Sequence, residues 1–194
     1  MGKTVTVTRG SGLLEEFLAK KRTAKANSLL KKIQKGRVLD VGCGSYPYFL
    51  LNTNFAEKYG IDPSLNASTI KDINLKKLDI TKQKLPFNDD FFDAVTMLAV
   101  FEHLDHEKIS FALREIYRVL KKDGILVMTT PAPWSDVILK NMARLGLVSK
   151  EEIHEHKHNL NSAIIKEYLS IGNFRETNSG YFEMGLNMWF TGKK

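Results

Sequence analysis

The chain has few of the features that mark secreted or membrane proteins. Cys43 is the single cysteine among 194 residues, so an internal disulfide is excluded. The longest apolar runs are far too short to cross a bilayer, and Met1–Val5 lacks the apolar segment of a secretory signal. We therefore expect a cytoplasmic protein without a membrane span.

Acidic residues are fewer than basic ones, 22 against 29, which gives a formal net charge of +7. Much of the excess lies near the N-terminus. This positive charge could attract an acidic partner, or it could serve only to keep the protein soluble. Length and an apolar fraction of 43% fit one globular domain over 1–194. Within it we distinguish a basic helical cap over 1–35 and an insertion over 131–160.

Helix and strand patterns alternate along most of the chain. A basic amphipathic helix is predicted over 13–35, with Phe17 and Leu18 among its apolar positions. A second helix is predicted over 105–120, ended by the cations and glycine of Lys121–Gly124. Strands are predicted over 37–41, 57–61, 74–79, 92–98 and 124–130. This alternation favours a doubly wound α/β fold with a mostly parallel sheet.

The pattern changes after Thr130. Pro131 and Pro133 stop the fifth strand, and 131–160 then reads as an insertion with one or two short helices. A helix over 162–171 follows, and then strands over 174–183 and 186–191. Because the link between these strands is so short, they must form an antiparallel hairpin. The prediction is therefore a seven-stranded sheet that ends in this hairpin.

A glycine turn follows the first predicted strand, in the run Arg37–Ser45. Glycines let the backbone approach a ligand closely, because they carry no Cβ. The turn departs from the nicotinamide fingerprint at Pro47, and the carboxylate of Asp40 would repel a pyrophosphate. A nicotinamide-dependent reductase is therefore disfavoured. A ligand with a cationic centre and sugar hydroxyls fits better.

Two further acids follow neighbouring strands. Asp62 ends the second strand, where a carboxylate can accept both hydroxyls of a ribose. Asp79 ends the third, where a carboxylate can accept from the exocyclic amine of a base. Alone, Asp62 could cap a turn before Pro63 and Asp79 a turn at Thr81. Together with Asp40 they predict one ligand crevice at the carboxyl edge of the sheet.

At this point the chain closely resembles the class I S-adenosylmethionine-dependent methyltransferases, and among them the type 11 small-molecule group. The residues that carry the resemblance lie in Val38–Gly44, Gly60–Asp62, Leu85–Val95, Glu102–Leu104 and Arg114–Gly124. The resemblance implies a Rossmann-like fold and S-adenosylmethionine as the cofactor. It also implies methyl transfer to a small molecule, for example an acidic, sugar or lipid-linked acceptor, with 131–160 and the N-terminal helix shaping its pocket.

The resemblance also assigns residues to the cofactor by position. They are Asp40, Gly42, Gly44, Asp62, Pro63, Asp79, Ile80 and Leu98, followed by Ala99. The first acid and the two glycines would hold the methionine portion, and Asp62 the ribose. Pro63, Asp79 and Ile80 would lie against the adenine, and Leu98 and Ala99 near the methionine end.

No residue stands out as the general base. Candidates are His103, His156 and Tyr46, the last of which occupies a position where the family often has a third glycine. Alternating histidines in His154–His158 resemble a metal tract, but alternate side chains share a side only on a strand, and no strand pattern exists here. We predict no metal site and assign the tract to a solvated loop or to substrate contact.

Two other functions stay open. The excess of basic over acidic residues is compatible with an RNA methyltransferase. However, Leu98–Phe101 lacks the Pro-Pro-aromatic turn that amino-group base methylators carry, so nucleic acid is disfavoured as a partner. The absence of a convincing base also permits a cofactor-binding domain without turnover. The sequence does not define an oligomeric state.

Overall fold

The computed structural model describes residues 13–66, 68–135 and 161–194. The helices are α1 (Leu13–Leu30), α2 (Tyr48–Leu51), α3 (His106–Val119) and α4 (Ser162–Ile171), with 3-10 turns at Lys31–Ile33 and Phe101–His103. The strands are β1 (Arg37–Val41), β2 (Glu57–Asp62), β3 (Thr69–Ile70), β4 (Ile73–Lys77), β5 (Phe92–Leu98), β6 (Leu120–Pro131), β7 (Arg175–Phe182) and β8 (Asn187–Lys193). None of the described helices has the length and apolar content needed to cross a bilayer.

The strands form one sheet in the order β3-β4-β2-β1-β5-β6-β8-β7. Strands β4, β2, β1, β5 and β6 pair in parallel, whereas β8 runs antiparallel to both β6 and β7. This confirms the doubly wound, mostly parallel α/β fold with its closing hairpin. The sheet has eight strands instead of the predicted seven, because the two-residue β3 pairs antiparallel with β4. A strand of two residues is too short to leave a periodic pattern in the sequence.

Alternate residues of the central strands enter two separate cores. Leu39 and Val95 join the core beneath α3 and α4, whereas Val38 and Ala94 join the core beneath α1 and α2. A strand buried on both faces must be apolar at successive positions, which explains the continuous apolar runs of β1 and β5. The two helical layers hold the sheet on both sides and leave its carboxyl edge for a site.

Helix α1 is shorter than predicted and buries only part of the predicted apolar stripe. It ends at Leu30, and Phe17, a predicted apolar position, is 50% exposed. The buried positions lie at helical spacing and are mostly small: Ala19, Thr23, Ala26 and Leu30. Small side chains allow the helix to approach β5 and β6, against which it packs. Among the large apolar residues of the predicted stripe, Leu30 is thus buried, whereas Phe17 is not.

The end of α3 differs from the prediction as well. The helix stops at Val119, and β6 begins at the next residue. Lys121–Gly124 therefore lies within a strand that bulges, because β6 advances five residues from Leu120 to Ile125 while β5 advances two residues from Phe92 to Ala94. An ion pair from Lys121 Nζ to Asp93 Oδ1, 2.8 Å long, fixes the bulge against β5. Lys121 thus binds a neighbouring strand instead of capping the helix.

Candidate functional site

Three acids lie at the carboxyl edge of neighbouring strands. Asp40 is the penultimate residue of β1, Asp62 is the last residue of β2, and β4 lies on the far side of β2. Asp79 follows two residues after the end of β4 at Lys77, so the prediction that it ends the strand is wrong. The topology nevertheless brings all three acids to one edge, as the spacing predicts.

The glycine turn is tied to the end of β2. The amides of Gly42 and Cys43 both donate to the carbonyl of Ile61, at 2.8 and 3.2 Å. Gly42 and Gly44 have φ values of +75° and +72°, which L-residues rarely adopt. A Cβ on Gly42 would lie 2.3 Å from Val100 Cγ2, in the segment after β5. This position therefore requires glycine for both conformation and space.

Asp62 connects the glycine turn to the next loop. Its Oδ2 accepts from the amide of Gly44 at 3.0 Å, and its Oδ1 accepts from the amide of Ser64 at 2.7 Å and from the Ser64 hydroxyl. The residue is 2% exposed. Each carboxylate oxygen has two lone pairs, so Oδ2 keeps one acceptor position after binding Gly44. The turn-capping contact predicted before Pro63 therefore exists without using the whole carboxylate.

Asp40 is buried on the face of the sheet that α1 covers. Its Oδ1 accepts a 2.6 Å hydrogen bond from the hydroxyl of Thr96 on β5. Burial raises the pKa of Asp40 to about 7, the bond from Thr96 opposes this rise, and the nearby Asp62 carboxylate adds to it. Near neutral pH the carboxyl is therefore only partly ionised. A cation bound beside it would favour the charged form.

Asp79 makes the local turn that its position predicts. Its Oδ1 accepts from the amide of Thr81 at 3.0 Å and from the Thr81 hydroxyl at 2.6 Å, and Lys82 pairs with Oδ2 at 3.0 Å. Partial burial opposes ionisation, but these contacts outweigh it and lower the pKa of Asp79. Next to it, the side chain of Ile80 is buried in the core, so contact with a base at this position would come from its main chain.

The segment after β5 returns over the glycine turn. Leu98 ends β5 half-buried, and Ala99 has a φ of +57° while its amide donates to the carbonyl of Thr129 at 2.9 Å. Val100 then contacts Gly42. These contacts connect the ends of β1, β2 and β5 at one edge of the sheet, and Leu98 lies at that edge as the last residue of β5.

Two of the three candidate bases lie within the described residues. Tyr46 lies half-buried in the loop after the glycine turn, and His103 is half-buried in the 3-10 turn after β5. His156 and the whole tract His154–His158 lie outside the described residues. Within the described ranges, no group of three or more side chains has the arrangement of a metal site.

Sequence reasoning missed two buried groups near this edge. Thr96 pairs in register with Asp40, so strand alignment was the signal that could have found it. Glu102 is 3% exposed, and its Oε2 has no hydrogen-bond partner among the residues that the structure describes. Glu102 lies in the motif Glu102–Leu104, in which the sequence alone points to His103 as the candidate base.

Comparison with known proteins agrees with this geometry. Residues 39–128 match the profile of a family described as a methyltransferase domain. One uncharacterized protein of Methanocaldococcus jannaschii is 37% identical over 103 residues, which cover 52% of this chain and 44% of that protein. A second uncharacterized protein of the same organism is 28% identical over 180 residues, 88% of this chain and 69% of that protein. The chain thus spans less than half of the first of these relatives.

Solved structures share the fold over nearly the whole chain. An S-adenosylmethionine-dependent methyltransferase from Mesorhizobium loti superposes with a TM-score of 0.69 at 15% identity, covering 91% of this chain and 100% of that one. One from Archaeoglobus fulgidus gives 0.66 at 20% identity, with 94% and 100% coverage. A putative methyltransferase from Haloferax volcanii, solved with the Trm112 methyltransferase activator, gives 0.64 at 15%, with 94% and 97% coverage. At such identities the likeness establishes the fold.

Proposed function

We propose that this chain is a class I S-adenosylmethionine-dependent methyltransferase that transfers a methyl group from S-adenosylmethionine to a small-molecule acceptor. The match of residues 39–128 to a methyltransferase-domain family and the fold shared with solved methyltransferases support the proposal. The observation that carries the proposal is the bonded unit of Asp62, Gly44 and Ser64 at the carboxyl edge. It fixes a carboxylate with a remaining acceptor position beside a turn whose glycines admit close approach. Nucleoside sugars bind to such acids in open α/β sheets.

We assign the parts of the cofactor to this chain by position. Asp40, Gly42 and Gly44 would hold the methionine portion, and Asp62 would accept from the ribose hydroxyls. Pro63, which is exposed, and the main chain at Asp79 and Ile80 would lie against the adenine. Leu98 and Ala99 would approach the methionine end. The raised pKa of Asp40 fits this assignment, because a buried acid gains most from a cationic ligand.

When bound, the cofactor supplies a methyl group on a positively charged sulfur, which an acceptor atom takes as the carbon–sulfur bond breaks and a neutral thioether leaves. The chain's task is then mainly alignment, which is worth roughly 7–11 kcal/mol in well-oriented reactions. A hydroxyl acceptor also loses a proton, for which Tyr46, His103 and His156 remain the candidate bases.

Substitution of Asp62 tests the cofactor assignment. We expect Asp62→Ala to weaken the binding of S-adenosylhomocysteine by about 10- to 100-fold, because the hydrogen bond that the remaining acceptor position makes to the ligand is lost. Calorimetric titration measures the affinity, and thermal unfolding checks that the variant is folded. Asp72→Ala is the matched control, since Asp72 is an exposed acid immediately before β4 that pairs with Lys58. An unchanged affinity in Asp62→Ala refutes the ribose assignment.

Transfer itself requires a second measurement. Wild-type protein is incubated with methyl-labelled cofactor and size-fractionated extract of the source organism, and label is followed into each fraction. Label in the low-mass fraction supports the proposal. Label in RNA with an affinity that falls steeply with salt favours the RNA alternative. Binding of S-adenosylhomocysteine without any transfer would indicate a cofactor-binding domain without turnover.

A further inference from the structure

The tip of the β7–β8 hairpin lies at the same edge of the sheet as the proposed cofactor site. Strand β6 is parallel to β5, and its last residue, Pro131, pairs with Asn187, the first residue of β8. The link Glu183–Leu186 therefore projects at the carboxyl edge. Leu98 pairs with Thr129, which pairs in turn with Trp189, so β8 lies two strands from the end of β5.

Helix α1 covers this tip on one face of the sheet. Lys25 Nζ lies 4.1 Å from the centre of the Trp189 ring. Asn187 precedes Trp189 by two residues and so points to the same face. Arg22 lies one helical turn before Lys25 and is close enough to Glu183 to lower its pKa, against the larger opposite effect of burial.

Buried polar atoms without partners are concentrated here. Among the described residues, Arg22 Nε, Glu183 Oε1 and Asn187 Oδ1 are buried and make no hydrogen bond. The hydroxyl of Thr129, on the same face of β6, shares this property. Buried polar groups in folded proteins are nearly always hydrogen-bonded, so such a concentration indicates a missing partner. We refer to Arg22, Glu183 and Asn187 as the polar corner.

A hydrogen bond and the backbone conformation of the hairpin tip hold the side chains of the polar corner in place. Asn187 is 5% exposed, and its Nδ2 donates to Glu183 Oε2, which fixes the amide so that Oδ1 remains an acceptor. Glu183 has a φ of +53°, Met184 of +55° and Gly185 of +87°. Left-handed residues other than glycine cost about 1–2 kcal/mol each, so the fold maintains this tip at a cost. In this conformation Met184 is 98% exposed, while Glu183 is half-buried against α1.

The charges around the polar corner and its three atoms without hydrogen-bond partners restrict what it can bind. Lys21, Arg22 and Lys25 disfavour a cationic group, and the two oxygens of Glu183 and Asn187 disfavour an anionic one. A neutral group that donates two hydrogen bonds and accepts one satisfies all three atoms. Adjacent hydroxyls have this property, because each hydroxyl both donates and accepts.

We propose that the polar corner binds a hydroxyl-rich, sugar-like head group of the methyl acceptor, with Glu183 and Asn187 accepting from adjacent hydroxyls and Arg22 donating to one of them. This inference rests on the proposed methyl transfer. From strand spacing and rise, the Cα of Asn187 lies about 12 Å from that of Leu98. Such a distance suits recognition of the far end of the acceptor, so we assign Glu183 to positioning and not to proton transfer.

The test compares acceptor dependence with cofactor binding. Initial rates of label transfer are measured against dilutions of the active low-mass fraction for wild type, Glu183→Ala and Arg22→Ala. We expect the apparent KM to rise about 10- to 100-fold, while affinity for S-adenosylhomocysteine changes less than about twofold. Glu167→Ala and Lys20→Ala, exposed positions on α4 and α1, serve as matched controls and retain the wild-type KM.

A chemical arm tests the head group independently of any variant. Periodate cleaves vicinal diols, which carry hydroxyls on adjacent carbon atoms. Fractions that are treated with periodate and then quenched should therefore lose most of their capacity to accept the methyl group. Apparent KM values equal to wild type in both variants, or acceptor capacity that survives periodate, would overturn the inference while leaving methyl transfer intact. If the protein binds the cofactor but transfers label to no fraction, both the proposed function and this inference are refuted. If Glu183→Ala does not fold, Arg22→Ala and the periodate arm decide.

Discussion

The buried carboxyl of Asp40 predicts that cofactor affinity depends on pH near neutrality. Burial first, and then the charge of Asp62, raise the pKa of Asp40 to about 7 in the ligand-free protein, while Thr96 opposes the rise. A cationic ligand beside this group binds best when it is ionised. Below the pKa, binding must first remove a proton, which costs about 1.4 kcal/mol for each pH unit.

The magnitude follows from that pKa. If the bound protein holds Asp40 ionised throughout, the apparent dissociation constant for S-adenosylmethionine is about tenfold larger at pH 6 than at pH 8. At pH 7 about half a proton leaves the protein for each ligand bound. Titration calorimetry in buffers of different ionisation enthalpy measures this release directly. The ligand's own ionisation is common to every variant and cancels in the comparison.

Two variants separate Asp40 from other titrating groups. Asp40→Asn keeps the acceptor for the Thr96 hydroxyl but cannot ionise, so its affinity should be weak and nearly independent of pH between 6 and 8. Thr96→Val removes the 2.6 Å hydrogen bond that favours the charged form, so the transition should move upward by about one pH unit. Asp72→Asn, at an exposed acid, should retain the wild-type profile.

The same pKa has the opposite consequence for the ligand-free fold. The folded state holds this proton more tightly than the unfolded chain does, since the pKa rises from 3.8 to about 7. The contribution of Asp40 to stability is therefore complete below about pH 4 and is lost as the pH rises through about 7. Equal pH profiles of affinity in wild type and Asp40→Asn, or a wild-type affinity that falls with rising pH, would refute this reasoning.

Two further predictions concern the framework of the site. Gly42→Ala places a Cβ 2.3 Å from Val100 Cγ2 at a φ of +75°, and urea unfolding should show a loss of about 2–4 kcal/mol. In the Gly42→Ala variant, Val100→Ala should lower the free energy of unfolding by less than it does in the wild type, because it removes the clash. If the two losses simply add, the clash is contradicted. Arg118→Ala removes bonds to Glu115, Asp89 and the carbonyls of Leu85 and Phe87, so unfolding should be easier by about 2–4 kcal/mol. A loss as small as that of Lys20→Ala, about 0.5 kcal/mol or less, would show that this network is not stabilising.

The sequence was most informative where a strand meets a loop. The bounds of β1, β5 and the end of β2 agree with the prediction, because apolar runs closed by glycine or an acid leave a sharp pattern. The edge shared by Asp40, Asp62 and Asp79 also follows from the alternation of elements. Their roles toward a cofactor stay predictions, since nothing bound tests them.

Prediction failed where one element depends on the contacts of another. The buried stripe of α1 is set by how closely small residues let it approach β5 and β6, which hydrophobicity alone does not reveal. Lys121–Gly124 has the composition of a helix end, yet the pairing of β6 with β5 uses it as a bulge. In each case tertiary contacts override a local preference.

The distribution of residues along the chain explains why cofactor and acceptor differ in how far sequence can predict them. All the residues assigned to the cofactor fall between Asp40 and Ala99, inside the region 39–128 that matches the family profile. The polar corner takes Arg22 from α1 and Glu183 and Asn187 from the closing hairpin, all outside that region. A shared cofactor needs a common set of strand ends, whereas acceptors are distinguished by elements placed beside them. The family match therefore covers the residues that we assign to the methyl donor, and only the fold brings together the residues from which an acceptor can be inferred.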